Sequence, residues 1–385
     1  MLPVRYLDHN ATSALRPEAR AAMDHVLIAH GNPSSIHRAG RAARGALEAA
    51  RTEVAGLVGA RPEQVIFTSG GTEANALALW GAVQGAAAAG APVGALYLSA
   101  IEHDSVFRTA AAIAQRNTGI RLVSVPVTQD GVVDLDALGE LLNEVSRPAL
   151  VAVMAANNET GVIQPVTDVI ALVHGAGGFC LVDAVQARGR IAADFAVSGT
   201  DYLTLSAHKL GGPQGTGALV VRDGVPLAPQ ITGGSQERNR RAGTENVAGI
   251  AGFGAAAKAC RQDDSSAALR DAFEFGLRQR FPDVIIFGES TPRLANTSNF
   301  AIPGIAAESA IIALDLDGVM VSSGAACSSG KVKPSHVLQA MGVPAELARS
   351  ALRVSLGWNS TLTDVEAALA SLEKLSARIR ARMAA

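Results

Sequence analysis

Lys209 is a residue whose type and position could support covalent chemistry with a cofactor. Five lysines occur in the 385-residue chain, and this one follows the apolar run YLTLSA and precedes the glycine-rich stretch LGG at residues 210–212. A desolvated amine at the end of a strand, near a cofactor, is the usual carrier of a Schiff base. Because exposed lysines are also common, the residues that accompany Lys209 decide between a cofactor site and an ordinary surface side chain.

Asp183 closes another apolar run, FCLVD, at residues 179–183. Carboxylates are rarely buried without a partner, so an aspartate in this position requires a cation or hydrogen-bond donors. A protonated pyridine nitrogen would supply the cation. A helix N-cap or a buried ion pair explains the same residue equally well, and the position alone leaves these alternatives open.

A glycine-containing turn, TSGGTE at residues 68–73, stands between an apolar run and a helical segment. Free N–H groups at the start of a helix can bind a phosphate, although an ordinary turn capped by Thr72 has the same composition. Together with Lys209 and Asp183, the turn completes a set that contains an amine, a partner for a pyridinium nitrogen and a phosphate cradle. A pyridoxal-phosphate site requires these three parts.

His103 follows the apolar run ALYLSA in the sequence IEHD. An imidazole in this position can lie on a cofactor ring and transfer protons near neutral pH. A lone histidine at the start of a helix is more often a cap or a surface group. The functional interpretation of His103 therefore depends on the rest of the set.

Cys327 lies among small residues in the segment SSGAACSSGKVKP. Glycines and a proline bracket this segment, which is typical of a mobile, partly exposed loop. Lys331 and Lys333 place positive charge nearby, and positive charge favours the reactive thiolate. Cys180 and Cys260 lie on apolar segments, where cysteines are usually buried and inert. The sequence therefore predicts one reactive cysteine, Cys327.

The elements that must position these residues are apolar runs, which alternate with alanine- and leucine-rich segments of helical spacing. We predict strands at residues 65–69, 95–100, 121–127, 149–156, 179–184, 202–207 and 217–222. Nearly continuous apolar strands that alternate with helices indicate an α/β fold with a largely parallel sheet covered on both faces. Ligands of such sheets bind at the carboxyl ends of the strands, where Lys209, Asp183 and His103 lie.

The pattern changes after about residue 245, where a long helical stretch continues to about residue 281. Shorter elements follow it. We predict strands at residues 284–288, 298–302, 319–324 and 352–357, and helices near residues 306–315 and from about residue 363 onward. This arrangement is typical of a second, smaller α+β domain.

The composition favours a folded α/β protein, and the cysteine pattern fits a reducing cytoplasm. Hydrophobic residues make up 48% of the chain and the net charge is −2, which gives no electrostatic reason to expect a nucleic-acid or membrane partner. Residues 74–101 carry no charge, but their glycine, proline and alanine content predicts a buried helix, a turn and a buried strand rather than a membrane span. The N-terminus lacks the pattern of a secretory signal, and the three cysteines show no disulfide or zinc-site spacing, so we expect no resident metal.

A series of motifs relates the whole chain to a known family. They are YLDHNAT (6–12), NPSSIHRAGR (32–41), FTSGGTEANALAL (67–79), EHDSV (102–106), NNETGVIQP (157–165), VDAVQ (182–186), SAHKLGGPQGTGAL (206–219), GGSQERNRRAGTENV (233–247), SSGAACSSG (322–330) and LRVSLG (352–357). In their order and spacing the chain resembles the cysteine desulfurases of aminotransferase class V, in particular the NifS/IscS-like group. The segments around Lys209 and Cys327 are the most specific.

This resemblance implies a fold type I homodimer with its active sites at the interface between subunits. Residues 16–260 would form the large domain that binds pyridoxal phosphate, around the mainly parallel seven-stranded sheet. Residues 1–15 and 261–385 would form the small α+β domain, which would carry the catalytic cysteine loop at about residues 322–334.

The resemblance also implies a role for each site residue. Lys209 would hold the pyridoxal phosphate, His103 would stack on its ring, and Arg353 would bind the carboxylate of L-cysteine. Asn158 would contact the cofactor or the substrate. The other cofactor contacts would be Asp183 at the pyridine nitrogen, Gln186 at the phenolic oxygen, and Gly71, Thr72, Ser206, His208 and, from the other subunit, Thr244 at the phosphate.

The implied reaction is that of a pyridoxal-phosphate-dependent sulfurtransferase. The Cys327 thiolate would attack the sulfur of bound L-cysteine, L-alanine would leave and a persulfide would remain on Cys327. The sulfur would pass to an acceptor or scaffold protein for iron–sulfur cluster, thio-cofactor or tRNA biosynthesis. A transient iron–sulfur cluster on Cys327 is the only metal contact implied. The segment after Arg353 is shorter than the tail that helps scaffold-serving members to dock their scaffold, so the acceptor stays open.

Two other functions are compatible with many of the same residues. A transaminase or a selenocysteine lyase of the same fold would keep Lys209 and Asp183, and a selenocysteine lyase can tolerate the loss of Cys327. A protein that acts only as a sulfur carrier or assembly partner would bind no cofactor. The joint presence of Lys209, Asp183, His103 and Cys327 favours the desulfurase, and the absence of any missing motif residue argues against the carrier.

Overall fold

Strands and helices alternate through most of the chain, as the apolar runs predict. The computed structural model describes residues 4–145, 147–187, 189, 198–262, 266–323 and 335–384. Its strands are β1 (Arg5–Tyr6), β2 (Val65–Thr68), β3 (Ala95–Ser99), β4 (Arg121–Val125), β5 (Ala149–Met154), β6 (Phe179–Asp183), β7 (Tyr202–Ser206), β8 (Gly217–Val221), β9 (Ile285–Ile286), β10 (Thr297–Ala301), β11 (Val319–Met320) and β12 (Ala351–Ser355). Its helices are α1 (Pro17–Ile28), α2 (Arg38–Leu57), α3 (Gly71–Ala88), α4 (Asp104–Arg116), α5 (Leu135–Asn143), α6 (Val166–Gly175), α7 (Val247–Ala259), α8 (Ser266–Arg280), α9 (Ala307–Leu316), α10 (His336–Ala340), α11 (Ala345–Ala348) and α12 (Leu362–Ala384).

The large sheet has seven strands in the order β2-β8-β7-β6-β5-β3-β4. Strand β8 runs antiparallel to both of its neighbours, and all other pairs are parallel. The predicted α/β fold with a mainly parallel seven-stranded sheet is therefore confirmed. Because β2 and β7 are both antiparallel to β8, the carboxyl ends of β2, β3, β5, β6 and β7 lie along the same edge of the sheet.

Apolar side chains cover both faces of this sheet. Neighbouring residues of one strand belong to different cores: Tyr97 and Val151 pack in one cluster, and Leu96 and Leu150 pack in another. Successive side chains of a strand point to opposite faces, so a strand buried on both sides needs an uninterrupted apolar sequence. This requirement explains the continuous apolar runs of the sequence.

The uncharged segment at residues 74–101 forms most of α3, a turn and β3, as predicted. Two of its glycines allow close packing against the chain beyond β8. A Cβ atom on Gly81 would lie 2.6 Å from Leu227 Cδ1, and one on Gly85 would lie 2.8 Å from the Leu227 backbone nitrogen. Among the described residues, no helix is both long enough and apolar enough to cross a membrane.

A second, smaller group of elements has its own sheets and its own core. Strands β12, β10 and β9 form an antiparallel sheet, and β1 pairs in parallel with β11. Phe273, Phe300, Leu352 and Leu372 belong to the apolar cluster that these elements share with α8, α9 and α12. Through β1, the N-terminal segment joins this group. The domain boundaries near residues 15 and 260 stay a prediction.

Candidate active site

Side chains from several strand ends line a cavity of about 440 Å³ at the carboxyl edge of the large sheet. This volume lies within the range of roughly 300–1,000 Å³ that small-molecule sites occupy. The sequence-predicted residues that line it are Lys209, His103, Asp183, Gln186, Gly71, Thr72, Asn158, Ser206, His208 and Arg353. Residues far apart in the chain thus meet around one cavity, as their positions after strands predict.

Lys209 enters the cavity from a single 3₁₀ turn, Ala207–Lys209, that follows directly on β7. Its Nζ donates hydrogen bonds to the carbonyl oxygens of Asn10, at 2.5 Å, and Ala11, at 2.8 Å. The Asn10 carbonyl also accepts a hydrogen bond from Gln186 Nε2 at 2.9 Å. The N-terminal segment therefore holds the amine at the wall of the cavity, beside Gln186.

Asp183 is the last residue of β6 and is buried, with 6% of its surface exposed. Its Oδ2 accepts a hydrogen bond from Asn75 Nδ2 at 2.8 Å, and its Oδ1 accepts one from the Val185 backbone N–H at 3.0 Å. Among the described residues, Asp183 forms no ion pair and caps no helix. The hydrogen-bond donors that this buried carboxylate has among those residues are both neutral, so a cationic ligand would suit it.

The turn before α3 has no side-chain cap, because Gly70 occupies the N-cap position with φ 155°. The alternative in which Thr72 caps this helix is therefore wrong. The first N–H groups of a helix have no partners within the helix and favour an anion. A Cβ atom on Gly71 would lie 2.9 Å from Val185 Cγ2, so the close approach of this turn to the end of β6 requires glycine.

Ser206 and His208 face the same end of the site, where a second cavity adjoins the turn before α3. Burial and the nearby Lys209 cation lower the pKa of His208 to about 4. The imidazole is therefore neutral at physiological pH. Its Nδ1 lies 3.1 Å from Thr12 Oγ1. A neutral imidazole has one N–H donor, which suits a hydrogen bond to a phosphate oxygen.

His103 is both the N-cap of α4 and part of the cavity wall. Its Nδ1 accepts a hydrogen bond from the Ser105 backbone N–H at 3.1 Å and lies 2.8 Å from Ser105 Oγ. Because Nδ1 is an acceptor, the neutral ring carries its proton on Nε2. The cap and the functional interpretation of His103 are thus compatible.

Asn75 and Ser105 were not predicted from the sequence, yet they connect the predicted residues. Asn75 Nδ2 donates to Ser105 Oγ at 3.0 Å and to Asp183 Oδ2, so a chain of hydrogen bonds runs from His103 to Asp183. Asn75 Oδ1 is buried without a partner in the described residues. The signal in the sequence is an amide in the otherwise apolar stretch ANALALW, since α3 is largely buried.

Arg353 also lines the cavity, lies on β12 and is almost completely buried. Its Nη1 donates to the Asn158 carbonyl oxygen at 2.8 Å, and its Nη2 donates to Asp8 Oδ1 at 2.6 Å. Asn158 thus contributes its backbone to Arg353. A guanidinium group offers a fork of donors that matches a carboxylate. The lining therefore offers two groups that suit an anion, the turn before α3 and Arg353, together with Lys209 and Asp183.

Thr244 is not part of this cavity. Thr244 is exposed on the segment at residues 233–247. It lines a separate cavity together with Phe67, Glu237 and Arg241. Cys327 lies outside the described residues. The described residues that flank its segment lie next to the site: the backbones of Ser322 and Arg353 exchange two hydrogen bonds, at 3.2 and 2.6 Å.

The two other cysteines are buried, as predicted. Cys180 has no exposed surface and Cys260 has 3%. Burial, reinforced by the negative charge of Asp201, raises the pKa of the Cys180 thiol well above its ordinary value. A thiol that resists ionisation is a poor nucleophile, so Cys180 is not a candidate for sulfur transfer.

The chain is similar to known proteins over nearly its whole length. The sequence profile of the aminotransferase class-V family matches residues 5–368. The cysteine desulfurase of Cereibacter sphaeroides is 42% identical over 98% of this chain and 96% of its own length. The cysteine desulfurase IscS of Dictyoglomus turgidum is 40% identical over 97% of this chain and 95% of its own length. The crystal structure of a NifS-like protein from Rickettsia africae superimposes with a TM-score of 0.86 at 33% identity, covering 97% of this chain and 99% of that one.

Proposed function

This chain belongs to the aminotransferase class-V family and is a pyridoxal-phosphate-dependent cysteine desulfurase, and we propose that Lys209 holds its cofactor, Arg353 its substrate and Cys327 the transferred sulfur. The observation that carries the proposal is the convergence of Lys209, Asp183, His103 and Arg353, from four separate segments, on one cavity. Each supplies a group that the reaction needs: an amine, an anion, a proton carrier and a carboxylate receptor.

The residues of the cavity fit pyridoxal phosphate. Asp183 is a buried carboxylate, and the hydrogen-bond donors that it has among the described residues are neutral. This environment suits a protonated ring nitrogen. Gln186, which lines the same cavity, would donate to the phenolic oxygen. The turn at Gly71 and Thr72 offers free N–H groups to the phosphate, with Ser206, His208 and, from the second subunit, Thr244 as further donors.

Pyridoxal phosphate, when bound, supplies an electron-accepting ring that stabilises negative charge at the substrate α-carbon. The protein supplies the rest of the catalytic chemistry. Arg353 binds the substrate carboxylate and orients the substrate, with Asn158 beside it. His103 carries protons on Nε2, because its Nδ1 is engaged by Ser105. Asp183 would stabilise a positive charge on the ring nitrogen.

Cys327 completes the reaction. Its thiolate attacks the sulfur of L-cysteine, so a sulfur–sulfur bond forms while the carbon–sulfur bond of the substrate breaks. The carbon keeps the electron pair of that bond and takes up a proton, which yields L-alanine. The persulfide on Cys327 is then available to an acceptor protein for iron–sulfur cluster, thio-cofactor or tRNA biosynthesis. Cys327 would ligate an iron–sulfur cluster only transiently.

The proposal includes a homodimer in the cytoplasm. Thr244 lies on an exposed segment away from the cavity of its own chain. In a dimer it would reach the phosphate site of the second subunit. The division into a large domain (16–260) and a small domain (1–15 and 261–385) belongs to the same proposal, and the small domain would carry the cysteine segment.

The proposal is tested by measuring L-alanine and sulfide release from L-cysteine in the presence of a reductant. We expect the wild type and Cys180→Ala to turn over at similar rates. Cys327→Ala is expected to keep the cofactor absorbance but to lose activity by more than about a hundredfold, and Lys209→Ala to lose both.

Unchanged L-cysteine turnover in Cys327→Ala would reject the persulfide step. If the same variant also kept its activity on L-selenocysteine, the result would favour a selenocysteine lyase. A wild-type protein that bound no cofactor and released no alanine would instead be a sulfur carrier.

A further inference from the structure

The guanidinium group of Arg353 is engaged by an acidic side chain of the protein itself. Nη2 donates to Asp8 Oδ1 at 2.6 Å, while Nη1 donates to the Asn158 carbonyl at 2.8 Å. Nε is buried and has no partner in the described residues. The residue that we assign to the substrate carboxylate therefore already holds a carboxylate.

Asp8 faces the cavity from a well-fixed backbone. It follows β1, forms a bridge with Ser355 and accepts a hydrogen bond on its carbonyl oxygen from Tyr6 Oη at 3.0 Å. Its side chain is 21% exposed, whereas that of Arg353 is 4% exposed. Both residues line the cavity that contains Lys209. A ligand in this cavity can therefore reach Asp8 as well as Arg353.

One guanidinium group neutralises one carboxylate. A substrate carboxylate that bound to Arg353 while Asp8 stayed in place would put two negative charges beside a single positive charge. Repulsion between like charges is strong where water is partly excluded. The bond between Asp8 and Arg353 and the bond between substrate and Arg353 are therefore in competition.

We propose that Asp8 is the resting counter-ion of Arg353 and that the substrate carboxylate takes its place on binding. Asp8 keeps the buried guanidinium paired and oriented when the site holds no substrate, because an unpaired buried charge is costly. It also weakens the binding of every ligand that uses Arg353. Asp8 is thus a positioning residue that sets the affinity for amino acids, and this inference rests on the proposed role of Arg353.

The inference is tested with Asp8→Asn, which keeps the oxygen that accepts from Arg353 but removes the charge. The ligands are L-alanine and ethylamine, which is L-alanine without its carboxylate. Both bind through their amine and neither contains sulfur to transfer. Their dissociation constants are measured on the holoenzyme from the change in cofactor absorbance on titration.

We expect Asp8→Asn to bind L-alanine about tenfold more tightly than the wild type, the effect of removing one competing charge. Ethylamine binding is expected to stay unchanged. Asp104→Asn is the matched control, since Asp104 pairs with Arg108 at 3.2 Å on the exposed surface of α4. It makes the same change in net charge and should alter neither dissociation constant.

Equal or weaker binding of L-alanine by Asp8→Asn would overturn the inference. Arg353→Gln separates this outcome from a failure of the proposed function. If Arg353→Gln weakens L-alanine but not ethylamine, Arg353 is the carboxylate receptor and only the role of Asp8 is at stake. If Arg353→Gln weakens neither ligand, both the receptor role and the inference fall.

Discussion

Glu102 is a fully buried carboxyl group next to His103 in the chain. Its Oε1 accepts a hydrogen bond from the Met154 backbone N–H at 2.6 Å, and its Oε2 has no partner in the described residues. Burial, together with the negative charge of Asp183, raises the pKa of Glu102 well above its ordinary value. The raised pKa favours the neutral acid form of Glu102, which adds no second negative charge beside Asp183.

Replacing Glu102 by glutamine should therefore mimic the favoured form. In the unfolded chain a glutamate ionises at about pH 4.3. Above that pH, the unfolded wild type binds fewer protons than the folded one, so its stability falls as pH rises toward the folded pKa, by up to about 1.4 kcal/mol per pH unit. Glu102→Gln lacks this loss. We expect the Tm of Glu102→Gln, relative to that of the wild type, to increase as the pH rises from about 4 to about 7.

Thermal unfolding across this pH range, with cofactor saturating, provides the measurement. Glu140→Gln is the control, because Glu140 is exposed on α5 and should give a difference in Tm that does not change with pH. Parallel curves for Glu102→Gln and the wild type would show that the buried carboxyl does not titrate as inferred.

At the residue scale, the sequence predicts the site residues whose side chains follow apolar strands. Lys209 is predicted because a scarce amine stands between a strand and a glycine-rich stretch, and Asp183 because a carboxylate that closes a buried run needs a partner. Asp8 is not, because only its contact with Arg353, 345 positions away, gives it a role at the site. No local pattern reports a contact of that separation.

At the scale of elements, a buried ion pair anchors the segment that carries Thr244. Arg51 on α2 donates from Nη1 and Nη2 to Glu237, both at 2.8 Å, and Glu237 Oε2 also accepts from the Phe67 backbone N–H on β2 at 2.9 Å. Glu237 and the next two residues have φ values of 44°, 56° and 64°. This conformation is unfavourable for residues other than glycine, so the ion pair must offset its cost.

Breaking this pair from one side should be costly. Arg51→Met leaves Glu237 buried and unpaired, which is expected to destabilise the protein by about 3–5 kcal/mol. The double variant Arg51→Leu, Glu237→Leu removes both charges and should lose less. The Tm values of these proteins are compared with that of Arg20→Met. This control removes an ion pair with Asp24 in which the Arg20 side chain is 76% exposed and the Asp24 side chain 59% exposed. Loss of this pair should lower the stability by at most about 1 kcal/mol.

A Tm for Arg51→Met that matched that of Arg20→Met would contradict the anchoring role. If the double variant were less stable than Arg51→Met, the cost would come from lost packing at this position rather than from an unpaired charge.

The predicted strands are confirmed, but several of them end earlier than the apolar runs do. Strand β5 ends at Met154, although the apolar run continues to Ala156, and β4 ends before Pro126. Ala155 and Ala156 are buried in the same core as the strand without continuing the sheet. An apolar sequence reports burial rather than sheet pairing, so it cannot locate the point at which a chain turns away to form a cavity wall.

At the scale of the whole molecule, the large sheet and the N-terminal segment both contribute to the cavity, and the sequence predicts the first better than the second. The alternation of strands and helices predicts the large sheet and its functional edge. The N-terminal segment reaches the site because β1 pairs with β11 at Arg5–Val319 and Tyr6–Met320. This pairing is only two residues long and joins segments that are far apart in the chain, so it gives the sequence no periodic pattern. The sequence pattern therefore does not predict that Asp8 and Asn10 lie at the cavity.

The central claim is that one molecule uses Lys209 for the cofactor and Cys327 for sulfur. The most direct test is a single turnover of the holoenzyme with one equivalent of L-cysteine and no reductant, followed by alkylation and peptide mass spectrometry. The wild type and Cys180→Ala are expected to gain the mass of one sulfur atom on the Cys327 peptide, with an equal amount of L-alanine. Cys327→Ser and Lys209→Ala should show neither product. Added sulfur on another residue, or alanine formed by Cys327→Ser at the wild-type rate, would contradict the claim.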